Sequence, residues 1–526
     1  MRNVAKHIKN APFVGAFFYL RFTDGQMLKN INHRLFAQWI LVALLVLPWT
    51  NPYAAGPSPE VWPMLISAFC GAILWVSKRR LSVEIITSAW MVAAATSAFM
   101  SLLQYFLLAD GLSPLLSQPE PGMVFANLRQ RNQFATLTSI GLVALIAWLA
   151  QQTSGDRLPW WAKYLALLLA LGNAASSSRT GFLQWLLILA LTAWWMLPDR
   201  RRLAVFAVQA ILTYLIASIT LPWLLGLLTG ISTGGLLGRL ADGPACTSRS
   251  VLWSNVLTLM AEKPWVGWGW SELKYAHFVT PFPEARFCAM MGNAHNLPLH
   301  LAVTLGIPAA LIVCGGFAWW VLRQQPWRET DAPRQLAWGA IAVILLHSMV
   351  EYPLWYGPFQ IAFGLCIWIL WQPTNRRSGP NAQPSNAFSI FVRAPIAIII
   401  IAIGAYIAWD YHRISQLYLA PTIRDAAYRE DTLAKVRNSW FFANQVRFAE
   451  LGSMSLTTEN AQATYDLATA LLHFSPEPRV VEKVIESALL LGKSEDAQAN
   501  LERYRLAFPA TYARWKKANP QLAIDF

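Results

Sequence analysis

Long apolar runs separated by short polar stretches dominate the first four fifths of the chain. Runs long enough, or nearly so, to cross about 30 Å of hydrocarbon lie at about 34–50, 61–77, 81–109, 132–150, 160–175, 181–197, 203–225, 296–322, 335–350, 357–371 and 389–409. They predict about eleven transmembrane helices. The stretch 223–238 is too rich in Gly and Thr for a further span and reads as interfacial or re-entrant. After residue 410 the pattern turns amphipathic and predicts helices at about 422–449, 458–474, 478–491 and 493–508. The predicted fold is an all-α polytopic membrane protein. A transmembrane domain over 1–409 carries a long polar loop at about 226–295, and a helical domain follows over 410–526.

Composition supports a bilayer rather than one large soluble core. The chain is 55% hydrophobic, only 13% charged and holds 26 tryptophans, whereas soluble domains keep about a quarter of their residues charged. The net charge of +14 does not indicate nucleic acid, because the basic residues form short clusters between apolar runs instead of one face or tail. The first ~33 residues are basic and mixed, without an apolar core or an Ala-x-Ala site, so the first span is expected to anchor as well as target.

Charge fixes the expected orientation. With the N-terminus inside (Arg2, Lys6, Lys9, Arg21, Lys29, Arg34), the inside loops carry Lys78-Arg79-Arg80, Arg157, Arg200-Arg201-Arg202, Arg323, Arg328 and Arg334, and Arg376-Arg377. The 110–131 loop, the 175–180 turn, the 226–295 loop, the 351–357 turn and everything beyond ~410 then lie outside. Residues 483–509 resemble one tetratricopeptide-type hairpin, a single unit rather than an array. Cys246 and Cys288 share the long loop. They are either a disulfide closing ~42 residues, worth about 3–4 kcal/mol in the loop-entropy model, or two free thiols.

The candidate chemistry collects on the outer side. His295 and Asn296 stand where the long loop enters an apolar helix, and an imidazole at that boundary suits proton abstraction at neutral pH, with nearby arginines favouring its neutral form. Arg179, in Ser-Arg-Thr-Gly, sits in a turn between two spans, where a charge is costly unless partnered. Arg249 opens a helix on the long loop, and its guanidinium fork suits phosphate. Arg129-Gln130-Arg131-Asn132-Gln133 adds amides and cations at the entry to the fourth span. His300 is secondary, and His347 lies close enough to the exit of its span to approach the same site. Metal-type spacing and a nucleotide loop are both absent from the sequence, so no metal and no cofactor are expected.

In chain order, Ser178-Arg179-Thr-Gly181, Arg249-Ser-Val-Leu-Trp253, Lys263-Pro-Trp-Val-Gly-Trp-Gly269 and Asn293-Ala-His-Asn296 running into Leu305-Gly-Ile-Pro308 resemble the bacterial O-antigen ligases, O-antigen polymerases and protein O-oligosaccharyltransferases. The Gln130-Arg-Asn-Gln133 entry, the Glu351-Tyr-Pro-Leu-Trp355 turn and the outside tail look most like the protein O-oligosaccharyltransferases, the pilin glycosylation ligases. Arg131 departs from that family's usual Gln-Pro-Asn.

The resemblance implies a bacterial inner-membrane enzyme that passes a glycan en bloc from undecaprenyl pyrophosphate to a Ser or Thr hydroxyl of a periplasmic acceptor, metal-independent and inverting. It implies Arg179 and Arg249 on the pyrophosphate and His295 as base, with Gln130, Asn132, Gln133, Asn296 and Tyr352 contacting sugar or phosphate. Ligation to lipid A–core and polymerisation of O-antigen are the neighbouring alternatives. A transporter of lipid-linked oligosaccharide is the non-enzymatic one. The expected partners are the lipid-linked glycan, a pilin-like protein or lipid A–core acceptor, and membrane lipids.

Overall fold

The computed structural model describes residues 25–54, 56–77, 81–152, 158–196, 201–236, 238, 245–372 and 387–520. Arg2, Lys6, Lys9, Arg21, Lys78, Arg79, Arg80, Arg157, Arg200, Arg376 and Arg377, on which part of the orientation argument stands, lie outside the described residues. Among the described residues every regular element is helical. Helices occupy all the apolar runs: α1 Gly25–Thr50, α2 Val61–Val76, α3 Val83–Tyr105, α4 Arg131–Gln151, α5 Trp160–Ala175, α6 Arg179–Met196 and α7 Arg201–Thr229. After the long loop come α10 Leu297–Leu305, α11 Ile307–Gln324, α12 Ala332–Ser348, α13 Gly357–Leu370 and α14 Ala387–Ser415. The loop itself holds α8 Arg249–Glu262 and α9 Leu273–Val279.

Helices α3, α4, α7, α11 and α14 are long and apolar enough to cross a membrane. Their burial divides them. The apolar stretch of α4 is 94% buried, whereas those of α11 and α14 are 6% buried. A helix this apolar that keeps its side chains outside the protein requires an apolar solvent, which identifies an integral membrane protein.

Small residues bring the central helices together. A Cβ added at Gly141 of α4 would lie 2.3 Å from Ala94 of α3, and one at Gly339 of α12 would lie 2.7 Å from Val143 of α4. Backbones can approach this closely only where no side chain intervenes.

Three expectations need correction. The run 296–322 is two helices, because Gly306 turns to φ 92° between them. The backbone groups freed at the break pair with the Pro264–Gly269 turn: Trp268 N donates to Val303 O (2.9 Å), Gly269 N to Thr304 O (3.0 Å) and Ile307 N to Pro264 O (2.8 Å). With nine residues, α10 is about 13 Å long, and it packs into the loop's own core with Leu252, Val256 and Phe287. The Gly- and Thr-containing stretch 223–229 continues α7, and the helix stops at Gly230, φ 72°. The tail segment 422–449 is not one helix. Two single turns (Pro421–Ile423, Ala426–Tyr428), α15 Thr432–Val436 and the start of α16 Ala443–Ser453 replace it, with Asp431 left-handed at φ 48°.

Beyond these lie α17 Ala461–Phe474, α18 Pro478–Leu490, α19 Ser494–Ala507 and α20 Pro509–Ala518. Their apolar faces share a core that includes Phe278 of α9, so part of the long loop is packed into the C-terminal helices. His473 Nδ1 meets Glu272 Oε2 at 2.7 Å across the same boundary.

The loop is also tied to itself, since Cys246 and Cys288 form a disulfide. Within it His277 is buried, and its Nε2 has no partner among the described residues. Burial, aided by the charge of Arg286, pushes that imidazole down to about 3.

Candidate active site

Three helices that carry site residues begin with arginine: Arg131 on α4, Arg179 on α6 and Arg249 on α8. The residue before each caps the helix. Gln130 Oε1 accepts from Gln133 N (3.1 Å), Ser178 Oγ from Gly181 N (3.0 Å) and Ser248 Oγ from Val251 N (3.3 Å). No acidic residue stands in any of the three first turns. A cation on the positive end of a helix dipole, three times over, gains nothing from its own helix and suits a bound anion.

The caps are wired together. Ser178 Oγ donates to Asn132 Oδ1 (2.7 Å), and Asn132 Nδ2 lies 3.5 Å from Glu351 Oε1. Arg249 Nη2 donates to that same Glu351 oxygen, while His295 Nδ1 meets Glu351 Oε2 at 2.6 Å. Glu351 is therefore the hub, on the turn that follows α12.

The imidazole is placed by its immediate sequence. Trp253 Nε1 donates to Ala294 O (3.1 Å), and Asn293 Oδ1 accepts from His295 N (2.8 Å), a local turn that holds His295 at φ 51°. Asn296 then caps α10 by accepting from Leu299 N (3.1 Å) and donates its amide to Met349 O (3.1 Å). Each residue of Asn-Ala-His-Asn thus has a structural task that aims the ring.

The contacts settle its tautomer. A carboxylate only accepts, so Nδ1 carries the proton and donates to Glu351. Arg249 Nη2, 3.0 Å from the same nitrogen, cannot also donate to it, and both groups point their protons at the carboxylate. Nε2 points away from this clamp, with no partner among the described residues, on a side chain 23% exposed. Burial works to raise the Glu351 carboxyl. The hydrogen bond from His295, with the charges of His295 and Arg249, outweighs it and holds the group below its ordinary range.

Tyr352 meets the His295 ring edge-on at 5.0 Å, and Arg179 is exposed beside Ser178. Gln133 is buried beneath the mouth. Below lies a polar layer in which Gln184 Nε2 donates to Thr136 Oγ1 (2.8 Å) and Val343 O (2.9 Å), and Thr136 Oγ1 meets His347 Nδ1 at 2.9 Å. His347 is therefore a support under the site, its backbone carbonyl accepting from Glu351 N (2.9 Å). His300 is buried between Trp270 and Trp355. Arg129 is spent on Pro52 O (2.7 Å).

The residue missed by sequence reasoning is Glu351 itself, which appeared there only inside a turn motif. The available signal was its isolation, because it is the one carboxylate between Asp331 and Asp410. A lone acid at a membrane boundary implies a cationic partner.

Among known families, one described as Protein glycosylation ligase matches residues 124–150 and one described as O-Antigen ligase matches 164–314. A third, described as Virulence factor membrane-bound polymerase, C-terminal, matches 335–523. A General O-oligosaccharyltransferase of Acinetobacter baylyi is 22% identical over 415 residues, 76% of this chain and 65% of that protein. A ComP-specific O-oligosaccharyltransferase of the same organism is 25% identical over 261 residues, 48% of this chain and 45% of that protein. These matches support a place for the chain in the O-antigen ligase superfamily. The chain covers less than two thirds of the length of either relative. The candidate residues fall within the matched stretches: Gln130, Asn132 and Gln133 in the first, Arg179, Arg249, His295 and Asn296 in the second, Glu351 and Tyr352 in the third.

Proposed function

We propose that this protein transfers a glycan en bloc from undecaprenyl pyrophosphate to a Ser or Thr hydroxyl of a periplasmic protein such as a pilin. The observation that carries the reading is the clamp of Glu351 on His295 Nδ1, which leaves Nε2 as the nitrogen able to accept a proton, on a partly exposed ring beside Arg249. The names of the two relatives, both O-oligosaccharyltransferases, support a protein acceptor.

In this mechanism the acceptor oxygen attacks the anomeric carbon and the bond from that carbon to the pyrophosphate oxygen breaks, with inversion. The hydroxyl proton passes to His295 Nε2, and Glu351 balances the charge that the ring acquires. Arg179, Arg249 and the three helix N-termini stabilise the departing pyrophosphate, electrostatic assistance of the kind that contributes several kcal/mol in preorganised sites. Asn132 and Tyr352 stand beside the Glu351–His295 pair, Gln130 and Asn296 cap their helices, and Gln133 is buried next to them, the positions from which they would contact sugar or phosphate. The proposed topology has about eleven spans in the bacterial inner membrane, a cytoplasmic N-terminus, and the 226–295 loop and the domain after ~410 in the periplasm.

The test incubates purified protein with undecaprenyl-pyrophosphate-linked glycan and either a pilin-type protein or lipid A–core, and identifies products by mass spectrometry. Glycan on a pilin Ser or Thr supports the reading. Glycan on lipid A–core makes the protein a ligase, longer lipid-linked chains make it a polymerase, and no product with movement of donor across vesicles makes it a transporter. Transfer is expected to survive EDTA.

A further inference from the structure

Between α15 and α16 the tail turns back against α14 through Ser439-Trp440-Phe441-Phe442, and the four side chains divide. Ser439 and Phe442 face inward. Ser439 Oγ donates to Asp410 Oδ2 (2.8 Å) and accepts from Phe442 N (3.2 Å). The Phe442 ring packs 5.1 Å from that of Tyr411 and shares a core with Ile414, Val436 and Val446. Asp410 Oδ1 accepts from Arg413 Nε at 2.9 Å, so the carboxylate that holds the turn is itself paired.

Trp440 and Phe441 are held outward, 75% and 45% exposed. Their rings lie 4.9 Å apart, and Phe441 lies 6.0 Å from Tyr406 of α14, which is 5.7 Å from Trp409. Tyr406 and Trp409 are exposed as well, so the four rings make one aromatic patch on the surface.

The position of the patch on α14 decides what covers it. Tyr406 stands nine residues before the end of the helix at Ser415, about 13 Å at 1.5 Å per residue. From Ala394 to Trp409 the helix carries no charged residue, and its apolar stretch is 6% buried. Trp440 and Phe441 therefore widen the lipid-facing side of a membrane-crossing helix, at the level where its apolar run gives way to Asp410. Tryptophan and other aromatic rings collect at that depth in a bilayer. A turn facing water gains nothing from two large rings whose neighbours hold them away from the core.

We propose that Trp440 and Phe441 insert into the interfacial layer of the phospholipid bilayer, on the side where α14 ends, and anchor the C-terminal helices to the membrane surface. The anchor reaches the site through packing. Val446 of α16 lies in the core beneath the turn, and Phe448 and Leu451 of the same helix lie in the core shared with Phe278 of α9. The loop that bears Arg249 and His295 is thereby held at a fixed height above the lipid. This inference is independent of the reaction proposed above.

The test uses the full chain in nanodiscs of phosphatidylethanolamine and phosphatidylglycerol, doped with a phosphatidylcholine that carries a diazirine near the glycerol end of one acyl chain. After irradiation and trypsin digestion, mass spectrometry reads the lipid label on each peptide. Label is expected on Asn438–Arg447, centred on Trp440 and Phe441, and on Ala394–Arg413 of α14, each about fivefold or more above Ser494–Arg503 of α19. Trp440→Ser with Phe441→Ser is expected to lower the label on 438–447 about fivefold, with the α14 label within about twofold of wild type. Trp440→Leu with Phe441→Leu keeps apolar bulk and is expected to hold the label on 438–447 within about twofold. Both pairs should leave helicity by circular dichroism unchanged, because the exposed rings are not part of the core. Label on 438–447 no higher than on Ser494–Arg503, undiminished by the serine pair, or lost equally in the leucine pair overturns the anchor.

Discussion

Glu351→Gln isolates the hub of the site with almost no change in shape. The carboxylate receives two charge-assisted contacts, from His295 Nδ1 at 2.6 Å and from Arg249 Nη2. Each such bond contributes about 1.5–3 kcal/mol, so losing the charge costs the transition state about 3–5 kcal/mol. That corresponds to a fall in kcat of about 10²–10⁴-fold, at 1.36 kcal/mol per factor of ten. The mechanism makes the loss specific. An amide no longer dictates which imidazole nitrogen carries the proton, nor does it neutralise the ring once Nε2 has taken the acceptor's proton. The assay is single-turnover transfer to a pilin peptide under saturating donor, with donor binding measured separately. Donor affinity should change less than about threefold, because Arg179 and Arg131 remain. A variant with kcat within a few-fold of wild type would refute the role assigned to the Glu351–His295 pair.

Arg131→Pro should fold normally, since the first helical position needs no N–H, and should weaken donor binding about threefold; circular dichroism and donor titration check the two halves. Gly306→Ala places a Cβ 2.1 Å from Trp265 O at φ 92°, and should cost about 2–4 kcal/mol, read as a lowered thermal midpoint. His277 titrates at about 3 in the fold against 6.5 when exposed, so the unfolded loop binds the proton first. Its stabilising contribution is complete above pH 6.5 and drains away as pH falls towards 3; hydrogen exchange of residues 273–288 should quicken over that window, and His277→Phe should abolish the effect.

Hydropathy located the helices because the bilayer imposes one requirement on every lipid-facing run. It could not separate α10 from α11, since Gly306 interrupts the helix without interrupting the apolar pattern. Arg179, Arg249 and His295 stood out as charges or titratable groups at membrane boundaries, where each demands a reason. Glu351 is equally anomalous, but its importance lies in joining residues 102 and 56 positions away. Such a pairing is a property of helix packing, which local pattern does not encode. The same holds for the tail, where amphipathic spacing marked α17 to α19 and gave no hint that Phe278 completes their core.

That shared core limits how the chain can be recombined. A chimaera that exchanged residues 410–526 alone would import a helical bundle without the aromatic plug that closes it, and would leave α9 with an uncovered face. Tyr275, Phe278 and Val279 and the tail helices form one packing unit, so a change in either alters the surface the other packs against. An engineered exchange has to carry both pieces to deliver a folded product.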